Sequence, residues 1–399
     1  VITETATYPF EITDPFRLPK EFDWLRAHRP VSKVRAATGD EVWLVSDYAG
    51  VRAVLSDRRF SRNIFRQDAA RLLPGVPVRQ VSVPFVDPPA HTRWRKLVSR
   101  AFTPRHVEGM RPRIQEIVDL LLDDMEQAGP PADVVRALSY PLSNAVICEL
   151  LGITAEQHEP FRVLANTALT INDSSPEEQM AAHQAMGTFS RDLIAAKRHH
   201  PGDDVLSQLI AAYDEEDGQL SEDELVATIL AIFIGGYEST VNQFGKGILA
   251  LFRFPDQLAA LRADLDAVPT AVEEMLRFAA LDSGFGSPRY ATEDVQVGDV
   301  TIPKGATVLV IRQSADRDEA LFPDPERFDI RRQEARAHNA FGHGPHHCLG
   351  AALARLELQL GIGTLLRRFP GLALTQAVEE IPWDYRLTVA GPRTLPVTW

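Results

Sequence analysis

Apolar residues recur at helical spacing through most of this chain and alternate only in short runs toward its two ends. Ile114, Ile117, Val118, Leu121, Leu122 and Met125 keep one helical face apolar. Ser175-Pro176-Glu177-Glu178 is a capping box with proline at the first helical position, and it predicts a helix over 177–199. Ser221-Glu222-Asp223-Glu224 predicts a second helix running to about 252. At ~1.5 Å per residue that helix would be roughly 48 Å long. Thr270-Ala271-Val272-Glu273 predicts a third, short one ending at 278. Among the alternating runs, VSKVRA and EVWLVS flank Thr38-Gly39-Asp40 and read as a hairpin, after which Asp47 caps a helix over 48–55. VQVGDVTI reads as a hairpin turned at Gly298-Asp299, followed by the strand ATVLVI and, at the end, a β-rich tail finishing in TLPVTW. Residues 61–86, with Pro74, Pro77 and Pro84, form a long irregular segment, of the kind that tends to be functional inside a compact fold. No repeat or linker divides the chain, so the expectation is one mainly α domain with small β-sheets over 1–399.

Charge narrows the classes. A net charge of −13 argues against general nucleic-acid binding. The sign reverses locally over 93–113, where Arg93, Arg95, Lys96, Arg100, Arg105, Arg111 and Arg113 face only Glu108. Such an island is either a solvated face or a docking patch for an acidic partner. Two cysteines exclude a disulfide framework and fit a reducing cytosol. The N-terminal residues show no signal-peptide pattern, and the apolar stretch from Leu225 through Gly236 reads as too short to cross a bilayer. A cytoplasmic protein without a membrane anchor is therefore expected.

The chemistry concentrates in FGHGPHHCLG, residues 341–350. Cys348 stands at the mouth of an apolar helix, where free backbone N–H groups and the helix dipole favour a thiolate. Gly342, Gly344 and Gly350 permit a tight turn and a close backbone approach. Three readings are open: a small buried hydrophobe, a zinc site with His338, His343, His346 and His347, or a thiolate ligand to a flat cofactor. Zinc lacks its usual paired spacing, since the other cysteine is Cys148. In the long helix, Gly235-Gly236-Tyr237-Glu238-Ser239-Thr240 sets two glycines side by side, at a cost of about 1 kcal/mol each relative to alanine. Close helix packing would offset that, and so would a flat ring laid against bare backbone. Ser239 and Thr240 can bond carbonyls one turn back and open the helix locally.

The spacing Phe341–Gly344–His346–Cys348–Gly350 resembles the cysteine-ligand loop of the cytochrome P-450 family. That resemblance implies haem b, with the Cys348 thiolate as proximal iron ligand and Phe341 and Gly350 in the cofactor loop. The glycine-rich stretch resembles the family's distal motif, small-Gly-x-acid-Thr-Thr, matched by Gly236, Glu238 and Thr240, with Ser239 in place of the first threonine. There the acid and alcohol deliver protons for dioxygen cleavage; serine keeps the hydroxyl but lacks the methyl that fixes the rotamer. Glu274-Met275-Leu276-Arg277 resembles the family's ExxR element, and Pro325-Glu326-Arg327-Phe328 its PERF-like segment, which makes Arg327 the third member of a structural network. By the same resemblance His91 and Arg95 (an HxxxR helix start), Arg289 and His346 occupy propionate-binding positions. Asp316 stands where bacterial members usually carry asparagine in ANRD.

The resemblance further implies the family fold, a triangular prism with haem between the long central helix and the cysteine-loop helix. It implies a soluble, monomeric bacterial monooxygenase that hydroxylates or epoxidises a mid-sized, largely apolar molecule of secondary metabolism. Electrons would come from a ferredoxin-type donor docked on Arg93, Lys96, Arg100 and Arg105. By family position the substrate pocket draws on Phe65, Phe85, Val86, Ile232, Gly235, Phe285, Ser287, Leu387 and Thr388. The phenylalanines could stack on an aromatic ligand. The runner-up chemistry is oxidative C–C or C–N coupling of aromatic substrates such as cyclic dipeptides. A haem-thiolate sensor and a haem-free helical protein are the other classes to separate.

Overall fold

The structure, a computed structural model, describes residues 6–63, 66, 68–72, 85–169, 175–215, 221–281, 286–384 and 389–399. The chain divides into two compact units, Val1–His91 with Glu273–Cys348, and Thr92–Val272 with Leu349–Trp399.

The first unit is built on a six-stranded mixed sheet. Its order is Thr7–Tyr8, Val31–Ala36, Glu41–Val45, Thr307–Val310, Ser287–Ala291 and Phe60–Ser61. The predicted hairpin pairs Val34 with Val42 across a turn at Gly39, whose φ of +89° lies in the left-handed region open to glycine. Thr307–Val310 lies inside the sheet, and every one of its residues is buried. Val308 and Val310 pack on one side with Val51, Val54 and Leu55, while Leu309 packs on the other with Phe22, Leu25 and Leu44. That two-sided burial explains why Val308, Leu309 and Val310 are apolar in succession instead of alternating. The second hairpin, Val295–Val297 with Val300–Ile302, forms as expected.

The second unit is helical. Its centre is Glu222–Arg253, opened by the expected capping box: Glu224 N–H donates to Ser221 Oγ at 3.1 Å, and Ser221 N–H donates to Glu224 Oε2 at 2.7 Å. The helix packs on Tyr140–Leu151, Pro176–His199 and Ala351–Arg368. Its Phe244 ring presses on the last of these at Gly361, where a Cβ would meet that ring at 2.5 Å and the Leu142 side chain at 3.2 Å. By length and composition alone the whole 32-residue helix is long enough to cross a membrane, yet 56% of its most apolar window is buried inside the protein. Its C-terminal half belongs to the core, since every residue from Thr240 through Leu251 is buried. The third capping box is corrected. The helix is Val268–Phe278, so Thr270 lies inside it; Pro269 sits in the first turn, the position proline favours, and a 3-10 turn at Leu265–Ala267 leads in. Two small sheets complete the unit, Ala373–Leu374 with Pro396–Thr398 and Ala132–Asp133, and Trp383–Asp384 with Gly391–Pro392.

Candidate functional site

In the first unit the cysteine loop is a closed turn. Cys348 N–H donates to Phe341 O at 2.8 Å and Gly342 N–H to Asn339 O at 2.8 Å. Gly342 and Gly344 take φ of +73° and +70°. At Gly344 a Cβ would meet Leu55 O at 2.5 Å, so only glycine fits the loop against the end of helix Tyr48–Ser56. Cys348 is exposed, whereas Cys148 is fully buried, and burial pushes its thiol up to about 12. The two cysteines thus divide cleanly into an accessible sulfur and a small hydrophobe. Among the described residues no group of three or more His, Cys, Asp or Glu side chains could hold a metal ion, which leaves the zinc reading without a ligand set.

A buried ionic network holds the segments leading into that loop. Glu274 and Arg277 are both buried and paired in bidentate fashion, Nε to Oε2 at 2.7 Å and Nη2 to Oε1 at 2.8 Å. Arg277 also donates to the carbonyls of Asp316 (2.9 Å) and Pro325 (3.0 Å). The third member is Arg332, not Arg327. Arg332 Nε reaches Glu274 Oε1 at 3.3 Å, and its other nitrogens donate to Pro323, Asp324 and Arg327 carbonyls. Arg327 offers the network only its carbonyl; its side chain is 62% exposed and lies 3.7 Å from Asp329. The signal was present in the doublet Arg331-Arg332 beyond Phe328, one turn further than the PERF-like segment.

Closer to the loop, Glu273 pairs with His338 at 3.1 Å, and Ala340 N–H donates to His338 Nδ1 at 3.1 Å. Asp316 Oδ1 accepts from the Asn339 N–H at 2.7 Å and from its side-chain amide at 3.0 Å. Burial raises the Asp316 carboxyl, against the opposing pull of His338 and of these hydrogen bonds. Arg52 adds an outer brace, touching His343 Nε2 at 3.2 Å and Tyr48 Oη at 2.8 Å.

Cations gather in the same unit. The Arg289 guanidinium is 5% exposed, and burial together with Arg62 and Arg312 brings it down to about 9. Asp87 pulls the other way, but a buried guanidinium that feels two others remains an arrangement that a further anion would relieve. Two carboxylates of a cofactor fit that demand by charge and by the planar donors that arginine offers. The buried His91 ring lies 4.0 Å from the His346 ring, and Arg95 follows His91 one turn on in helix Ala90–Val98. Arg62 and Arg312 were not anticipated, because nothing in their local sequence separates them from surface arginines. At Gly350 a Cβ would meet no atom within 4 Å, and Phe341 is half-buried with its ring 5.8 Å from His338. The accessible sulfur, bare backbone and buried cations suit a flat, doubly anionic, iron-bearing ring.

In the second unit the paired glycines of the central helix turn out to differ. At Gly236 a Cβ would meet the end of the Ile147 side chain, so the missing side chain also lets helix Tyr140–Leu151 pack close. At Gly235 a Cβ would meet nothing within 4 Å. Ser239 Oγ donates to Gly235 O at 2.5 Å, the one-turn-back bond expected of a helix hydroxyl. Glu238 and Thr240 are buried, and Glu238 Oε1 accepts from the Val389 N–H at 3.0 Å. Of the pocket residues, Ile232 is buried on the same helix, Phe85 lies 4.9 Å under the Arg62 guanidinium, and Val86 and Ser287 are half-buried. Phe65, Phe285, Leu387 and Thr388 lie outside the described residues. In the basic island Arg93 is committed to Glu224, Arg111 to Glu108 and Arg113 to Glu149, while Lys96, Arg100 and Arg105 reach the surface.

Comparison with known proteins agrees. The cytochrome P450 family model matches residues 179–384. Nocardicin C N-oxygenase of Nocardia uniformis subsp. tsuyamanensis is 44% identical over 100% of this chain and 99% of its own. This chain belongs to the cytochrome P450 family. The cytochrome P450 monooxygenase PikC of Streptomyces venezuelae is 44% identical over 94% of this chain and 89% of its own. Among solved structures, the LnmA cytochrome P450 hydroxylase of the leinamycin pathway of Streptomyces atroolivaceus is 40% identical, with a TM-score of 0.92 over 99% of this chain and 100% of that one. The cytochrome P450 described here is accordingly an oxidoreductase with a haem b cofactor, acts on a small molecule, and takes electrons from a ferredoxin-type donor. Haem held by a thiolate supplies the activation of dioxygen; orientation, proton supply and water exclusion fall to the protein's residues.

Proposed function

We propose that this cytochrome P450 inserts oxygen into a mid-sized, largely apolar natural product in the bacterial cytoplasm, by hydroxylation or epoxidation, with its 399 residues working as one monomeric catalytic domain. The observation that carries the reading is the exposed Cys348 sulfur in a glycine-shaped turn, in the unit that also buries Arg289 among other arginines. In this reading the Cys348 thiolate binds the iron and Phe341 and Gly350 line the ring. His91, Arg95, Arg289 and His346 hold the propionates. Glu238 relays protons through its carboxyl group and the Ser239 hydroxyl passes them on, with Thr240 beside them. Glu274, Arg277 and Arg332 fix the loop and take no part in the chemistry. The substrate meets Phe85, Val86, Ile232, Gly235 and Ser287, which supply mostly apolar surface.

The donor is steered by Arg93, Lys96, Arg100 and Arg105, all exposed, with Arg93 also paired to Glu224. Oxygen insertion is preferred to ring coupling because the named relatives include an N-oxygenase and a hydroxylase. Cys348→Ala is expected to abolish the red-shifted Soret band of the reduced, carbon-monoxide-treated holoprotein. Survival of that band would overturn the ligand assignment. Product formed under labelled dioxygen must carry the label; an unlabelled coupled product would favour the runner-up.

A further inference from the structure

Glu238 and Asn242 stand one turn apart on the central helix, both buried, and both reach the same residue. Val389 N–H donates to Glu238 Oε1 at 3.0 Å, and Asn242 Nδ2 donates to Val389 O at 3.0 Å. Both polar groups of one backbone residue are therefore gripped by two side chains of a single helix face. The partner atom also settles which end of the Asn242 amide faces Val389, since a carbonyl can only accept. Asn242 is itself confined, because a Cβ at Gly391 would collide with its side chain, and a Cβ at Gly245 would meet Pro392 at 2.7 Å. The segment after Val389 is thus packed directly on the helix turn that follows Glu238.

We propose that Asn242 is a positioning residue for the Glu238 carboxylate: it holds the Val389 peptide so that the peptide N–H keeps Glu238 Oε1 in place. The physical ground is the cost of an unmet buried carbonyl. Without the Asn242 amide the Val389 carbonyl loses its donor, and the backbone that also presents the N–H is free to turn away. The inference rests on the reading of Glu238 as proton carrier, and its test separates the two.

Asn242→Leu keeps the branched heavy-atom skeleton, though with more bulk, and removes the donor, while the near-isosteric Asn242→Asp sets a carboxylate against the carbonyl. Hydrogen exchange of the Val389 amide, followed in the holoenzyme, is expected to quicken by roughly tenfold in both variants, as befits one lost hydrogen bond. With a plant-type ferredoxin and its reductase as donors and no substrate added, the oxygen consumed is expected to shift from water toward hydrogen peroxide. The shift should be severalfold and run in the same direction as in Glu238→Gln. Wild-type exchange at Val389 in both variants would overturn the inference. So would loosened exchange with an unchanged peroxide fraction, given that Glu238→Gln shifts it. If Glu238→Gln leaves the peroxide fraction unchanged, the proton-carrier reading falls and this inference falls with it.

Discussion

Residues 341–350 and residues 235–240 are held by different means. The cysteine loop is closed by backbone hydrogen bonds, shaped by two glycines at positive φ, and fed by segments anchored on the buried Glu274–Arg277–Arg332 network. The helix turn keeps its helical backbone, and its polar side chains reach back to that backbone or across to another segment, Ser239 to Gly235 O and Glu238 to the Val389 N–H. A metal ligand must present one atom at a fixed place, which favours an over-determined backbone. On the proposed reading, a proton carrier must change partners, which favours a side chain that can turn while the backbone stays fixed. Rigidity is therefore placed where geometry matters, and freedom where exchange does.

Mutations should expose that contrast. Glu274→Ala leaves Arg277 and Arg332 buried without their counter-charge, and a loss of about 3–5 kcal/mol is expected for such a broken pair. Thermal unfolding and the haem content of the purified protein would show it; a normally stable, haem-replete variant would contradict the brace. Arg332→Ala should cost about 3 kcal/mol on the same ground, whereas Arg327→Ala, with its exposed side chain, should stay within about 0.5 kcal/mol. Equal effects in a denaturant titration would return Arg327 to the network.

Two buried acids sharpen the comparison through pH. Burial raises Asp316 in the first unit and raises Glu357 well above its ordinary range in the second, where a hydrogen bond from Ser143 pulls the other way. For each acid the folded state prefers the protonated form. Its contribution is whole below the unfolded value of 3.8 for Asp316 or 4.5 for Glu357 and is lost as pH climbs toward the raised folded value. Neutral isosteres remove that loss, so Glu357→Gln should stabilise by about 1–2 kcal/mol at neutral pH. Asp316→Asn, whose parent carboxylate is helped by Asn339, His338 and Arg312, should gain less. Both unfolding midpoints should vary less with pH than the wild type's. A steeper dependence would refute the assignment.

The smallest effect on stability is expected from Ser239→Thr, within about 0.5 kcal/mol, since the hydroxyl stays and a methyl fixes its rotamer. Its peroxide fraction should fall relative to wild type. No change, alongside a large rise in Ser239→Ala, would mean that serine is already held as firmly as threonine would be.

Local sequence carried the features that are local in cause. Capping boxes at Ser175 and Ser221, the Gly39 and Gly298 turns, the two-sided strand Thr307–Val310 and the glycine-framed cysteine loop all follow from residues within a few positions of one another. Glu274 and Arg277 were picked out by their three-residue spacing and the family resemblance, and the structure joins them as a bidentate pair. Tertiary packing alone decided which arginine joined Glu274, which of the two glycines faced Ile147, and which arginines gathered around Arg289. It also decided that one distant backbone residue, Val389, would meet both Glu238 and Asn242. Spacing along a helix says which side chains share a face, but not what the rest of the chain brings against that face. Burial then fixes which charged and polar groups must find partners, and it exists only once the chain has folded.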